Sequence, residues 1–87
     1  MDKIWQDAAW TDYLFWQTQD KKTLKKINRL IQDIDRNGYQ CQGQPEPLKG
    51  ELSGFWSVHI DEKNRLVFRI KDGRFEIWQC GSHYRDK

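Results

Sequence analysis

The sequence predicts a single α+β domain in which a short N-terminal strand and two helices precede a twisted antiparallel sheet. Helical periodicity is confined to the first half of the chain, and three short segments rich in β-branched and aromatic residues follow Gly54. Helices and strands segregated along a chain are typical of α+β layers. A chain of 87 residues, 37% of them hydrophobic, can bury one small core, so we expect one domain over residues 1–87.

The first half predicts one strand and two helices. Residues 3–5 form the strand, and a first helix extends from Asp7, a favourable N-cap residue, to about Gln19. A second helix begins at Asp20 and ends at Gly38, which suits the left-handed position after a helix. The apolar residues of this helix recur every three or four positions, at Leu24, Ile27, Ile31 and Ile34. This stripe predicts the buried side of the second helix.

Cationic residues occupy the opposite side of the second helix. They are Lys21, Lys22, Lys25, Lys26 and Arg29. The net charge of the chain is only +2, so local clustering carries more information than the total. The cluster favours a solvated surface, with a surface that binds a polyanion as the alternative.

The second half predicts a loop and three strands. Glycines and prolines interrupt residues 39–51, which we therefore interpret as a loop that carries Glu46. The strands are expected at residues 55–60, 65–70 and 75–80. The Asp72-Gly73 pair favours a tight hairpin between the last two strands. Alternation along the strands places polar side chains on one face, and these are Ser57, His59, Arg65 and Arg69.

The chain contains the side-chain types that RNA cleavage without a metal requires. Glu46 lies between two prolines, Arg65 opens a predicted strand, and His83 lies near the C terminus. A carboxylate can take a proton from a ribose 2′-hydroxyl, an imidazolium can protonate the leaving oxygen, and a cation can hold the phosphate. Each residue also has a simpler interpretation: Glu46 as an exposed carboxylate, His83 as an ordinary surface histidine, and Arg65 in an ion pair with Glu62 or Glu76.

Cysteine usage and hydropathy favour a cytoplasmic protein. Cys41 and Cys80 are expected to be reduced, because two cysteines in a chain without secretory features seldom pair. Cys80 lies near His83, but a Cys/His nucleophile lacks an orienting third group. The apolar runs are too short to cross a bilayer, and Asp2 and Lys3 interrupt any secretory segment at the start.

The order and spacing of several motifs resemble the YoeB/Txe toxins, a branch of the RelE superfamily of bacterial toxin–antitoxin systems. The resemblance covers nearly the whole chain. The matching segments are Ile4-Trp5, Trp10, Asp12-Tyr13-Leu14, Trp16-Gln17, Lys25-Lys26-Ile27-Asn28, Gly43, Pro45-Glu46-Pro47-Leu48-Lys49, Leu52-Ser53-Gly54-Phe55-Trp56-Ser57, Arg65-Leu66-Val67 and His83-Tyr84.

The resemblance implies a RelE-like fold and an mRNA endonuclease that acts in the ribosomal A site, needs no cofactor and is inhibited by a co-expressed antitoxin. A homodimer is also implied as a possibility. Glu46 then resembles the general base, His83 the general acid and Arg65 the phosphate clamp. By the same resemblance, Lys49 supplies an additional positive charge to the site and Tyr84 stacks on a base. Tyr84 is equally suited to filling the core.

Two positions depart from the pattern of these toxins. His59 stands where an arginine is common, and Lys63 stands where a glutamate is common. Both are therefore candidate substrate-binding residues with altered charge. The alternative to an enzyme is a binding module that uses the same scaffold to engage a protein or nucleic acid without cutting it.

Overall fold

The computed structural model of the protein describes residues 1–81. The elements in chain order are β1 (Asp2–Trp5), α1 (Asp7–Gln19), α2 (Lys21–Asn37), β2 (Glu46–Pro47), β3 (Trp56–His59), β4 (Arg65–Lys71) and β5 (Arg74–Gly81). Short 3-10 turns occupy Gly38–Gln40 and Gly50–Leu52. The five strands form one sheet in the order β1-β5-β4-β3-β2. The predicted α+β class, with two helices packed on a sheet, is confirmed.

The sheet is mixed, which refines the antiparallel prediction. β2, β3, β4 and β5 pair antiparallel with their neighbours, whereas β1 runs parallel to β5 with Trp5 opposite Ile77. β1 covers only the first half of β5, because its register ends at Ile77. Among residues 1–81, the second half of β5 therefore has no neighbouring strand on that side.

The helix boundaries agree with the prediction except at the start of α1. Gln6 is the N-cap and Asp7 is the first helical residue, so the assignment of Asp7 as the cap was wrong by one position. The predicted start of α2 at Asp20 agrees with the structure, in which Asp20 is the N-cap: its carboxylate accepts hydrogen bonds from the backbone N–H groups of Lys22 and Thr23, at 3.1 and 3.2 Å. The Thr23 hydroxyl also donates to this carboxylate at 2.7 Å, and this hydrogen bond, together with those from the backbone, holds the pKa of Asp20 below its ordinary value.

One core lies between the helices and the sheet. α2 contributes four buried residues, Ile27, Leu30, Ile31 and Ile34. Leu30 joins the predicted stripe, whereas Leu24 is only half-buried. Phe68 and Phe75 are fully buried and meet edge to face, with ring centroids 5.6 Å apart. The core therefore takes alternate residues from β4 and β5, which assigns the remaining residues to the other face of the sheet.

Two local features set the register of the strands. Asp72 and Gly73 both have positive φ, 53° and 75°, as the predicted two-residue hairpin requires. A β-bulge follows Val67: this residue pairs with Gln79, whereas Phe68 pairs with Ile77, which leaves Trp78 as the extra residue. The bulge was not visible in the sequence, because Trp78 fits an unbroken alternation.

Both cysteines, Cys41 and Cys80, are buried free thiols, in agreement with the prediction that they are reduced. Burial raises the pKa of the Cys41 thiol and reinforces its unreactive character. Across residues 1–81 no helix has the length and apolarity needed to span a membrane.

Candidate active site

The face of the sheet opposite the helices carries the polar residues of the central strands; we call it the site face. Val58 and Leu66 point into the core, so their neighbours Ser57, His59 and Arg65 point to the site face. The expectation that these polar groups share one surface agrees with the strand register. This surface also receives Glu46, because Glu46 lies directly opposite Ser57.

Glu46 lies on an edge strand rather than in the predicted loop. β2 is the last strand in the sheet and contains only Glu46 and Pro47. An edge tolerates proline because a strand there needs its N–H groups on one side only. The Leu48 N–H donates to the Phe55 carbonyl at 2.9 Å and continues the pairing beyond β2. The backbone of Glu46 is therefore fixed by the sheet, while its side chain stays exposed.

Arg65 begins β4 and is fixed by main-chain carbonyls rather than by a carboxylate. Its Nη1 donates to the carbonyl oxygens of Asp61, Glu62 and Asn64 at 2.7, 3.2 and 3.1 Å. Within residues 1–81 no carboxylate forms an ion pair with Arg65. Glu76, one proposed partner, instead binds Arg69, and Glu62 contributes only its main-chain oxygen. The guanidinium is therefore held in place by main-chain oxygens, and the Asp61 carboxylate interacts with it electrostatically without forming an ion pair.

The turn that holds Arg65 is organised by Asp61. The Asp61 carboxylate accepts from the backbone N–H groups of Lys63 and Asn64, at 2.8 and 2.7 Å, and from the Asn64 side-chain amide. Burial alone would raise the pKa of Asp61, but these hydrogen bonds outweigh it and hold the pKa below the ordinary value of 3.8. Asp61 therefore determines the turn from which the Asp61 and Asn64 carbonyls reach Arg65.

The lowered pKa of Asp61 predicts an acid-sensitive contribution to stability. A carboxyl whose pKa is lower in the folded than in the unfolded protein stabilises the fold above the unfolded value, and this contribution is lost as the pH falls through the folded value. We expect Asp61→Asn to be less stable than the parent at neutral pH and the difference to shrink below about pH 4. Urea unfolding at several pH values measures it. A difference independent of pH would contradict this role.

The remaining predicted cations surround the same surface. His59 lies directly opposite Arg65 across β3 and β4 and is half-buried. Lys63 is exposed in the turn that holds Arg65, and Lys49 is exposed just after β2. From strand spacing and residue rise, the Cα atoms of Glu46 and Arg65 are about 12 Å apart across β3. Their extended side chains can therefore reach the same region of this surface from two sides.

The predicted site residues His83 and Tyr84 lie outside the described residues. The last described residue, Gly81, pairs with Arg65. Chain connectivity alone limits the His83 Cα to about 7.6 Å from the Gly81 Cα. Within residues 1–81 no group of three or more His, Cys, Asp or Glu side chains is arranged to hold a metal ion.

Two features were missed from the sequence, and the first is the position of Gln79 on the site face. Ser57 and Gln79 flank Val67 and are fully buried, and the Ser57 Oγ and Gln79 Oε1 atoms have no hydrogen-bond partner among residues 1–81. The bulge conceals Gln79, because simple alternation assigns it to the core side. The second missed feature is the contact of α1 with the end of β5.

Arg69 lies on the site face, but its side chain is already engaged by neighbouring residues, so we do not include it among the candidate catalytic residues. Its Nε donates to the Glu76 carboxylate at 2.6 Å, and its guanidinium carbon lies 4.8 Å from the centre of the Phe55 ring. Phe55 in turn contacts Trp78, with ring centroids 5.3 Å apart. These contacts give Arg69 a structural role on the same face as Arg65.

The cationic residues of α2 were predicted to be solvated, and all five are exposed. Lys22, Lys26 and Arg29 line a surface depression of about 380 Å³ that reaches Asp61. The structure is therefore consistent with both interpretations of this cluster, a solvated surface and a polyanion-binding surface.

Residues 5–84 match the family described as the YoeB-like toxin of bacterial type II toxin–antitoxin systems. The chain belongs to this family. It is 49% identical to the toxin YoeB of Escherichia coli strain K12 over 84 residues, covering 97% of this chain and 100% of that protein. It is also 49% identical to a toxin YoeB of Streptomyces coelicolor over 76 residues, covering 87% of this chain and 90% of that protein. The resemblance stated from the motifs is confirmed.

Solved structures of YoeB-like proteins have the same fold. The YoeB/ParE toxin from Agrobacterium tumefaciens superposes with a TM-score of 0.92 at 41% identity, covering 97% of this chain and 100% of that one. The YoeB–YefM complex from Staphylococcus aureus contains a chain that superposes with a TM-score of 0.88 at 39% identity, covering 97% of this chain and 98% of that one. The fold described above is therefore that of a YoeB-like toxin.

Proposed function

We propose that this YoeB-like toxin is a ribosome-dependent mRNA endonuclease, an mRNA interferase whose single domain spans residues 1–87. The observation that carries the proposal is the strand register. It brings an exposed carboxylate, Glu46, and a guanidinium held by main-chain carbonyls, Arg65, to one face of the sheet. The strand that ends opposite Arg65 leads within two residues to His83.

The proposed reaction is an internal phosphoryl transfer that needs no metal. The carboxylate of Glu46 accepts the proton of a ribose 2′-hydroxyl as its oxygen bonds to the adjacent phosphorus. The bond from phosphorus to the 5′-oxygen breaks, and His83 donates a proton to that oxygen. The products are a 2′,3′-cyclic phosphate, or the 3′-phosphate formed when it opens, and a free 5′-hydroxyl. Arg65 stabilises the charge that develops on the phosphate oxygens.

The other predicted residues bind the substrate around these three. Lys49 and Lys63 add positive charge at the two ends of the surface, where an RNA backbone carries negative charge. Tyr84 stacks on a base, a contact worth about 1–3 kcal/mol in proteins that bind single-stranded RNA. His59, directly opposite Arg65, contacts a phosphate.

The proposed partners are a cognate antitoxin and the ribosome with mRNA in its A site. A solved relative from Staphylococcus aureus is a YoeB–YefM complex, and another structure from the same organism is described as a YoeB dimer. By analogy, this chain binds an antitoxin protein and forms a homodimer, and it acts in the cytoplasm, where translating ribosomes are found.

Induced expression in a bacterial host without an antitoxin tests the activity. The 5′ ends of cellular RNA are mapped before and after induction. New ends that carry a 5′-hydroxyl and fall within translated codons are the expected result. Growth arrest with unchanged RNA would refute the nuclease and favour the non-catalytic binding module.

The departure at position 59 predicts an altered pH dependence. An imidazole loses its charge as the pH rises through neutrality, whereas a guanidinium stays charged. We therefore expect His59→Arg to extend cleavage on programmed ribosomes to higher pH than the parent. Single-turnover rates between pH 6 and 9 measure this effect. Lys63→Glu is the comparison: it should weaken binding to the programmed ribosome without shifting the dependence of the cleavage rate on pH. Superimposable profiles for the parent and His59→Arg would exclude His59 from phosphate binding.

A further inference from the structure

The end of β5 is held by side chains of α1 in place of a neighbouring strand. β1 pairs with β5 only as far as Ile77, and the Gln6 N–H closes this ladder by donating to the Ile77 carbonyl at 3.0 Å. Further along β5, the Cys80 N–H donates to Asp12 Oδ2 at 3.0 Å, and Trp16 Nε1 donates to the Cys80 carbonyl at 2.8 Å. Both backbone groups of Cys80 are therefore bonded to α1.

The geometry of α1 makes this contact specific. Asp12 and Trp16 are four residues apart, so their side chains lie on the same side of the helix. Ala9, one turn earlier, is fully buried and its carbonyl lies 3.7 Å from the Cys80 Sγ. We refer to Asp12 and Trp16 as the α1 clamp. Asp12 supplies an acceptor for the Cys80 N–H, and Trp16 supplies a donor for the Cys80 carbonyl. The two side chains thus replace the hydrogen bonds that a neighbouring strand would make with this residue.

Gly81 closes the contact between the α1 clamp and β5. A Cβ at Gly81 would lie 3.3 to 3.4 Å from the Asp12 carboxylate, tighter than ordinary van der Waals contact. On its other side Gly81 pairs with Arg65. The backbone at the end of β5 is therefore fixed from both sides, by Asp12 and by the strand that begins with the proposed phosphate clamp.

We propose that Asp12 and Trp16 are positioning residues for the proposed cleavage, because they fix the point from which the chain leads to His83 and Tyr84. This inference rests on the proposed function. In the sequence, the segment that carries the proposed general acid follows directly after Gly81, the neighbour of the clamped Cys80. A displacement of about 1 Å in a reacting group can lower a rate about 100-fold, so the anchoring of this segment affects the chemistry.

Trp16→Phe tests the inference with the least disturbance, because it removes the Nε1 donor and keeps an aromatic ring. We expect the maximal single-turnover rate on programmed ribosomes to fall about 10- to 100-fold, while the concentration for half-maximal rate stays within about two-fold. Asp12→Ala should have a similar effect, and Asp12→Asn should restore part of the rate because its amide oxygen can still accept from the Cys80 N–H.

Tyr13→Phe is the matched control. It removes the 2.7 Å hydrogen bond from Tyr13 Oη to Asn28 Oδ1, which joins α1 to α2 without touching β5. The stability of each variant is measured by urea unfolding. If Tyr13→Phe and Trp16→Phe lose similar stability but only Trp16→Phe loses rate, the clamp has a positioning role. Equal loss of rate in both variants would overturn it.

A double-mutant cycle with His83→Gln separates positioning from general support of the fold. If the α1 clamp acts through His83, Trp16→Phe should cause little further loss in the His83→Gln background. A full multiplicative loss would overturn the inference. The parent protein distinguishes the two proposals: no cleavage by the parent refutes the proposed function, whereas cleavage by the parent and an unchanged rate for Trp16→Phe refute only the clamp.

Discussion

Glu46→Gln is expected to lower the single-turnover rate of mRNA cleavage about 10²- to 10⁴-fold, the range typical of losing a general base. Glutamine has nearly the same shape but cannot accept the 2′-hydroxyl proton. The fold should be unaffected, because Glu46 is exposed and its backbone, rather than its side chain, pairs with β3. Rates are measured on ribosomes programmed with a defined codon, and folding is checked by circular dichroism and urea unfolding.

Glu51→Gln is the matched control for this substitution, since Glu51 is another exposed carboxylate in the same connection between α2 and β3. It should cleave at the parental rate. His83→Gln should lose a comparable factor to Glu46→Gln, and the double variant should lose less than the product, because a base and an acid act as one unit. Full activity in Glu46→Gln would remove this carboxylate from the mechanism.

Much of the fold could be predicted because local signals and tertiary structure agree. The start of α2 at Asp20, the apolar periodicity of α2 and the Asp72-Gly73 turn each depend on a few neighbouring residues, and all were confirmed. Pairing partners are not specified in this way. The parallel contact of β1 with β5 joins residues more than 70 positions apart, and no local pattern encodes that choice.

The errors at β2 and at the bulge have a common origin. Two prolines around Glu46 are unfavourable for a strand in general, but they are compatible with a two-residue strand at an edge, where fewer N–H groups are needed. Whether a segment reaches an edge is a tertiary property. In the same way, the extra residue at Trp78 is determined by how β4 and β5 pair, and it changes which side of the sheet Gln79 faces.

The candidate site was predicted partly from alternation and partly from family motifs. Alternation correctly placed Ser57, His59 and Arg65 on one face, but the addition of Glu46 depends on the pairing of β2. Asp12 and Trp16 belong to a motif of the family, yet their contact with Cys80 spans 68 and 64 residues. A sequence shows that such residues are present, whereas their partners appear only when the chain is folded.

Arg65→Lys is expected to lower cleavage about 10²- to 10³-fold, comparable to the loss of one fixed donor that stabilises a developing oxyanion. Lysine keeps the positive charge but loses the planar fork of the guanidinium. Among residues 1–81 the side-chain hydrogen bonds of Arg65 all come from Nη1, which leaves Nε and Nη2 available to bind a phosphate. A lysine cannot bind the turn and a phosphate with the same geometry.

Arg69→Lys provides the comparison that isolates the role of Arg65, since both arginines lie on β4 and on the same face. Arg69 is paired with Glu76 and lies against Phe55, so its replacement should reduce stability modestly and leave the cleavage rate within about two-fold of the parent. Ribosome binding by Arg65→Lys should be largely retained, because the lost interaction strengthens as charge develops on the phosphate. Equal losses of rate in the two variants would mean that β4 contributes general cationic charge rather than an oriented phosphate clamp at Arg65.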